Sequence, residues 1–338
     1  MEPKKKFLIL RFSSIGDIVL TSPVVRAIKL QIVDAEVHYC TKIQFRTIVE
    51  NSPYIDKCFY LEDSLQRLIQ QLRAEQYDYI IDLHHNLRTR IVKWQLGVKS
   101  YSFDKLNFEK WLLVNFKINR MPDVHIVDRY LATLKTFGVK KDSFGLEYFI
   151  PHKDVVEKGW LPETHRRGYV AYAIGGQHNT KKLPLPRMIE LCQKINRPII
   201  LLGGKEDTEN ASKIEDFFIQ QNGKKTGKNQ IQPGSRTVIY NACGQYNLNQ
   251  SAFILQKASV VFSHDTGLMH IAAAFRKPIY SIWGNTTPLF GMSPYQTKFV
   301  VLENNHLSCR PCSKIGYSRC PKGHFKCMND IVFDFDLP

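Results

Sequence analysis

The chain has 338 residues, 43% of them apolar, and its 47 lysines and arginines outnumber 31 acids for a formal charge of +16. That length suits roughly two domains, and that apolar share can bury ordinary globular cores, which excludes a disordered or fibrous chain. The basic surplus points to an anionic partner such as nucleic acid, anionic lipid or a phosphorylated substrate, the plain alternative being a charge that only aids solubility.

From the N-terminus, Lys4, Lys5 and Lys6 resemble the start of a secretory signal, but the apolar run Phe7 to Leu10 is cut by Arg11. A signal needs roughly 7–15 apolar residues and a membrane span roughly 18. The expectation is a cytoplasmic protein with peripheral membrane contact. Phe7 to Phe12 reads as a buried parallel strand. Ser13 to Asp17 is a turn, and apolar spacing predicts a helix over 18–31 with a kink or late start at Pro23. Glu36–Cys40 reads as a strand, Ser64–Gln76 as a helix and Asp78–Leu83 as a strand. Residues 159–168 form a linker. A second series starts with a strand at 169–174, a helix at 187–195 and a strand at 198–202. Residues 222–236 read as a mobile loop or insertion, and strands follow at 259–263 and 278–283. Such alternation implies an α/β fold with parallel sheets covered by helices.

Chemistry collects where predicted strands end, and in doubly wound folds those ends open into one crevice. Ser14, Gly16 and Asp17 follow the first strand; Asp17 would be ionised at a helix entrance and could take a proton from a hydroxyl, or merely cap the helix. His84 to Arg90 follows another; its arginines could fork onto carboxylate or phosphate, or form a solvated turn. Gly175-Gly176 with Thr180, Lys181 and Lys182 suits a diphosphate without matching a Walker A loop. Glu206 and Asp207 sit where ribose hydroxyls are commonly held. In His264-Asp265-Thr266-Gly267-Leu268-Met269-His270, a strand hands over to a helix whose N-terminus suits a phosphate, with an N-cap as the alternative. No stretch carries the G-x-G-x-x-G dinucleotide spacing.

Four cysteines, Cys40, Cys58, Cys192 and Cys243, are scattered and read as reduced, buried thiols. Cys309, Cys312, Cys320, His324 and Cys327 crowd nineteen residues with soft ligands, five candidates for the four places of a structural zinc. Disulfides or a loop-stabilising thiol cluster are the alternatives.

Together, Arg11-Phe-Ser-Ser-Ile-Gly-Asp17-Ile-Val-Leu-Thr-Ser-Pro23, Ile81-Asp-Leu-His-His-Asn-Leu-Arg88, Thr180-Lys-Lys-Leu-Pro184, Asp265-Thr-Gly-Leu-Met-His270, Ser281-Ile-Trp-Gly-Asn-Thr286 and the Cys320–Met328 segment resemble the lipopolysaccharide heptosyltransferases of glycosyltransferase family 9. The resemblance implies a GT-B architecture of two Rossmann-like, doubly wound domains facing across a cleft. It puts an acceptor domain at 1–160 and a nucleotide-sugar domain at 161–338, the latter carrying the cysteine-rich segment 309–327. It implies transfer of a heptose or related sugar from an ADP-sugar to lipopolysaccharide core, inverting and with no cofactor required for catalysis. Asp17 would match the general base and Lys181 the group that neutralises departing ADP. Thr180, Lys181, Glu206, Asp207, Asp265, Thr266, Gly267 and His270 would match the donor site. Ser14, Gly16 and Arg88 would lie on the acceptor side. The implied partners are an ADP-sugar, an anionic glycolipid and the cytoplasmic face of the inner membrane, with no nucleic acid. A family 9 enzyme using another nucleotide sugar is one alternative. A basic, zinc-stabilised nucleic-acid-binding protein is the other, although the cations are dispersed and no nucleic-acid motif stands out.

Overall fold

The computed structural model describes residues 5–223 and 237–337, so most of the loop expected at 222–236 lies outside the described residues. Along the first half run β1 (Lys5–Leu10), α1 (Ile15–Val19), α2 (Ser22–Gln31), β2 (Ala35–Lys42), α3 (Arg46–Val49), β3 (Lys57–Leu61), α4 (Leu65–Arg73), β4 (Tyr79–Asp82), α5 (Leu87–Leu96), β5 (Lys99–Ser102), α6 (Asn107–Phe116) and α7 (Ile126–Leu131). Along the second run β6 (Val170–Ala173), α8 (Leu185–Ile195), β7 (Ile199–Leu202), α9 (Thr208–Gly223), β8 (Ile239–Asn241), α10 (Leu248–Lys257), β9 (Val260–His264), α11 (Gly267–Ala274), β10 (Ile279–Trp283), β11 (Phe299–Glu303) and α12 (Lys326–Asn329).

The strands form two parallel sheets, ordered β3-β2-β1-β4-β5 and β11-β10-β9-β6-β7-β8. Read from β8, the second repeats the first and adds a sixth strand, so each is a Rossmann-like 3-2-1-4-5 series. The order reverses between β1 and β4 in one sheet and between β6 and β9 in the other. Strands β1, β6, β7, β9 and β10 are apolar almost throughout because helices cover both faces. This is the GT-B architecture.

Pro23 falls in the first turn of α2, where a missing N–H does no harm, so the helix expected over 18–31 starts late. The turn expected at 13–17 is instead half helical: Asp17 accepts from the Ser14 amide and hydroxyl and draws residues 15–19 into the single turn α1. Strand β5, Lys-Ser-Tyr-Ser, has no apolar pattern because it is a half-exposed edge. The tail folds onto the second domain, where Phe335 packs against Phe262 and Tyr280.

The halves meet along an apolar and hydrogen-bonded seam. Helix α7 lies against the loop after β10: the Ile126 amide donates to the Gly291 carbonyl (2.8 Å), Arg129 to the Phe290 carbonyl (2.9 Å), and Tyr295 to Asp128 (2.9 Å). Tyr148 donates to Asn249 at 2.6 Å further round.

Candidate active site

Both sheets direct the strand ends at their reversal points toward one cleft, and there α1 and α11 touch. The contact requires two glycines. A Cβ on Gly16 would lie 2.6 Å from the His270 ring, and one on Gly267 would lie 2.7 Å from the Ile15 side chain. Real carbon atoms do not approach so closely, so any larger residue would push the helices apart. Asp17, one residue past Gly16, thereby comes near His270.

Asp17 is held rather than free. Its carboxylate pairs with Arg11 at 2.7 Å and accepts from the Ser14 hydroxyl at 2.8 Å and amide at 3.2 Å. Burial alone would raise its pKa, but Arg11 and Ser14 outweigh burial and hold it below the ordinary aspartate value. Arg11, 7% exposed, is itself locked by the Ser13 and Leu83 carbonyls and by the Tyr130 hydroxyl at 2.9 Å. Sequence reading gave Arg11 no role: it reads as the residue that ends an apolar run, and only Asp17 beside it reveals its use.

On the first-sheet side of the cleft several cations lie near Asp17 and Phe12. Arg88 lies over the Phe12 ring at 5.6 Å, and His84 meets the same ring edge-on. Burial, then Arg11 and Lys105, push His84 down to about 4. Lys105 and Lys110 were not singled out from sequence, since they belong to no motif. Burial lowers the pKa of both, that of Lys110 to about 8 with Arg129 and Lys314 adding repulsion, while the Asp17 charge opposes the shift in each.

Across the cleft, the Lys181 ammonium pairs with Asp265 at 2.6 Å, and the Thr286 hydroxyl donates to the same carboxylate oxygen at 3.0 Å. Thr286, read only as part of a motif, thus belongs to this set. His270 is buried and neutral: burial drops it to about 4, against the pull of Asp265 and Asp17. Thr266 occupies the N-cap position of α11 without a side-chain bond to the helix, so the first amides of α11 have no cap from it. Thr180 is buried, its hydroxyl donating to the Tyr317 carbonyl (3.0 Å) and accepting from the Tyr317 amide (2.8 Å), so it braces the cysteine-rich segment. Asp207 is buried too, paired with Lys182 at 3.2 Å and accepting from the Gly204 amide at 3.1 Å. Its neighbour Glu206 is exposed, with its carboxylate turned back over Gly204.

Residues 65–321 match the family model of glycosyltransferase family 9 (heptosyltransferase). The chain belongs to this family. It is similar to lipopolysaccharide heptosyltransferase 1 of Campylobacter coli, 24% identical over 306 residues that cover 83% of this chain and 84% of the relative. Among solved structures it resembles the family 9 glycosyltransferase of Veillonella parvula DSM 2008, with a TM-score of 0.69, 20% identity and coverage of 90% of this chain and 87% of that one. It also resembles the E. coli heptosyltransferase WaaC with ADP, with a TM-score of 0.65, 20% identity and coverage of 90% and 95%. WaaC has also been solved with ADP-2-deoxy-2-fluoro heptose. The protein is therefore a glycosyltransferase, and its cleft is that of a family 9 enzyme.

The cysteine-rich segment of this glycosyltransferase backs onto the cleft. Arg310 donates to the Gly284 and Thr286 carbonyls and pairs with Glu303, which fixes the loop that carries Thr286. Cys309, Cys312, Cys320, His324 and Cys327 line one small cavity of about 10 Å³, with Cys309 Sγ 3.8 Å from His324 Nε2 and every thiol free. No three of their ligand atoms lie mutually within 4.8 Å; among the described residues only Glu36, His38 and Glu75 do. That trio is already satisfied: His38 bonds Glu36 and Tyr77, and Lys6 and Lys57 pair with the carboxylates.

Proposed function

We propose that the protein transfers heptose from ADP-heptose to the lipopolysaccharide inner core with inversion at the anomeric carbon, Asp17 acting as general base. The observation that carries this reading is the meeting of Asp17 from one sheet with the His270, Lys181 and Asp265 cluster of the other. One carboxylate and one diphosphate-type site then flank a single reacting position. The relatives named lipopolysaccharide heptosyltransferase and the WaaC complexes with ADP compounds support the choice of substrates.

In the reaction, an acceptor hydroxyl oxygen forms the new bond to the anomeric carbon while the bond from that carbon to the ADP oxygen breaks. The hydroxyl proton passes to Asp17, and the bonding pair leaves with ADP. Arg11 and Ser14 keep Asp17 ionised and aimed, at the cost of some basicity, so proton transfer comes late, as the hydroxyl acidifies on attack. Charge building on ADP is met by Lys181 and by the amides of α11. Neutral His270 adds no competing positive charge beside an oxocarbenium-like carbon. Ser14, Gly16 and Arg88 face the acceptor, and Lys105 and Lys110, which form no ion pair among the described residues, suit one bearing phosphates or carboxylates. Thr266, Gly267 and the exposed Glu206 face the donor, Glu206 toward ribose. The buried Asp207 and Thr180 support that site from beneath.

The cysteine-rich segment is proposed to hold a structural zinc through Cys309, Cys312, Cys327 and either Cys320 or His324. Four thiols and an imidazole around one small cavity are the donor set zinc takes, and their ligand atoms would have to draw together to hold the ion, which would cross-link loops and take part in no step. Among the described residues no helix is long and apolar enough to cross a membrane, and contact with the inner membrane's cytoplasmic face is proposed to be peripheral.

Titration calorimetry with ADP, UDP, GDP and CMP tests the donor assignment. ADP alone should bind. Preference for another nucleotide would replace the donor. Binding of none, with metal present by elemental analysis and tight salt-dependent binding of DNA or RNA, would overturn the enzymatic reading.

A further inference from the structure

Helix α6 is built for something outside the fold. Of its ten residues only Leu113 is buried. Phe108, Trp111 and Phe116 are 60%, 45% and 57% exposed, yet their rings touch in a row. Phe108 and Trp111 stack at 6.2 Å, and Trp111 meets Phe116 edge-on at 5.0 Å. Exposed Ile118 extends the strip. Isolated apolar residues on a surface are ordinary, but a contiguous aromatic patch marks a contact site.

The surroundings of the patch are cationic. Between Lys105 and Pro122 the one acid is Glu109, against Lys105, Lys110, Lys117 and Arg120. The helix also adjoins the cysteine-rich segment of the other domain. Lys117 donates to the Cys309 and Pro311 carbonyls at 3.2 and 2.6 Å, and Lys314 to the Asn107 carbonyl at 3.2 Å. From Asn304 to Asn329 there is no acid, and exposed Lys314, Arg319 and Lys322 accompany exposed Ile315.

We infer that α6 and the adjoining 314–322 loop dock the enzyme on an anionic lipid bilayer. Aromatic rings settle at the headgroup level of a membrane, and surrounding lysines and arginines are drawn to anionic lipid. A protein partner is the poorer fit, because lysine is depleted where proteins meet. The docked face adjoins the Lys110 side of the cleft, so a membrane-anchored acceptor would meet Asp17 without leaving the surface. The inference rests on the glycolipid-transfer reading for that purpose, whereas the surface chemistry stands by itself.

The test is co-sedimentation of the full chain with phosphatidylcholine vesicles, with and without phosphatidylglycerol. Wild-type protein should bind only the anionic vesicles, less so in high salt, with a blue shift of Trp111 fluorescence. Replacing Trp111→Ser and Phe116→Ser together, or Arg120→Glu and Lys322→Glu together, should weaken binding by about tenfold or more. Transfer to a detergent-dispersed acceptor should stay within about twofold, as expected for surface changes that leave the fold intact. Equal binding to neutral and anionic vesicles, or double variants that bind like wild type, would overturn the inference. So would loss of a dimer in the Ser variant with vesicle binding unchanged. Vesicle binding with no transfer to any acceptor would uphold docking while the proposed function fails.

Discussion

The Lys181 ammonium and the Asp265 carboxylate lie 2.6 Å apart, and the oxygen they share also accepts from Thr286. The cation proposed to meet a leaving diphosphate is thus held in place by a carboxylate, and a diphosphate must compete for it. Lys181→Ala should weaken ADP binding by about 10- to 100-fold, the worth of one or two charge-assisted hydrogen bonds, and slow transfer with it. Calorimetry and steady-state rates on the same variant measure both, and unchanged ADP affinity would remove Lys181 from the donor site.

Asp17→Asn preserves the shape of the carboxylate and removes its basicity. Turnover should drop by about 10²- to 10⁴-fold, the usual contribution of a general base, while ADP binding stays near wild type. Full activity in Asp17→Asn or Asp17→Ala would end the general-base assignment.

Arg11→Gln should change the pH profile before anything else. Burial raises the Asp17 pKa, and Arg11 is the largest of the effects that lower it. Without Arg11 the carboxylate takes up its proton at higher pH, so the acidic limb of kcat against pH should move upward. Stability should fall by about 3–5 kcal/mol, because a buried charge loses its partner. A limb that stays put in a folded variant would show that Asp17 does not govern it.

Gly16→Ala should open the contact between the domains, since its Cβ would meet the His270 ring at 2.6 Å. The expected cost is about 1–3 kcal/mol of stability, with a lower kcat. Thermal melting and rate measurements would show it, and a fully active variant of wild-type stability would mean that the helices can part freely.

Acid should destabilise the fold well above the carboxylate range. His264 and His270 are buried, and burial lowers each from 6.5 to about 4. A histidine with a depressed folded pKa binds its proton more readily when unfolded, so its contribution is complete above pH 6.5 and is lost as pH falls toward 4. Each contributes up to about 1.4 kcal/mol per pH unit across that window. Denaturant midpoints at pH 7, 6 and 5 should decline steadily; a flat series would mean that these rings are accessible to protons.

Some of the site was legible from local order alone. Asp17, Lys181, Asp265 and His270 follow strands whose apolar runs are unmistakable, and a parallel sheet puts such residues at one end. Arg11 was not legible as a partner, because one basic residue within an apolar strand carries no sign of the charge it meets. Lys105 and Lys110 lie in a stretch with no motif and come within electrostatic range of Asp17 only once the chain has packed. The family resemblance ranks Asp207 ahead of Glu206 as the ribose contact, yet a single turn buries Asp207 between Gly175 and Gly203 and leaves Glu206 facing solvent, which the order of residues does not reveal.

Periodicity and strand-end chemistry, both properties of neighbours along the chain, were sufficient to specify two parallel α/β layers and four loops rich in catalytic residue types. Which charges meet was decided by the tertiary structure. The pairs Arg11 with Asp17 and Lys182 with Asp207, and the approach of Gly16 to His270, join residues whose distance depends on how sheets twist and domains dock. Electrostatic energy varies with separation and burial, and neither is set until the chain has packed.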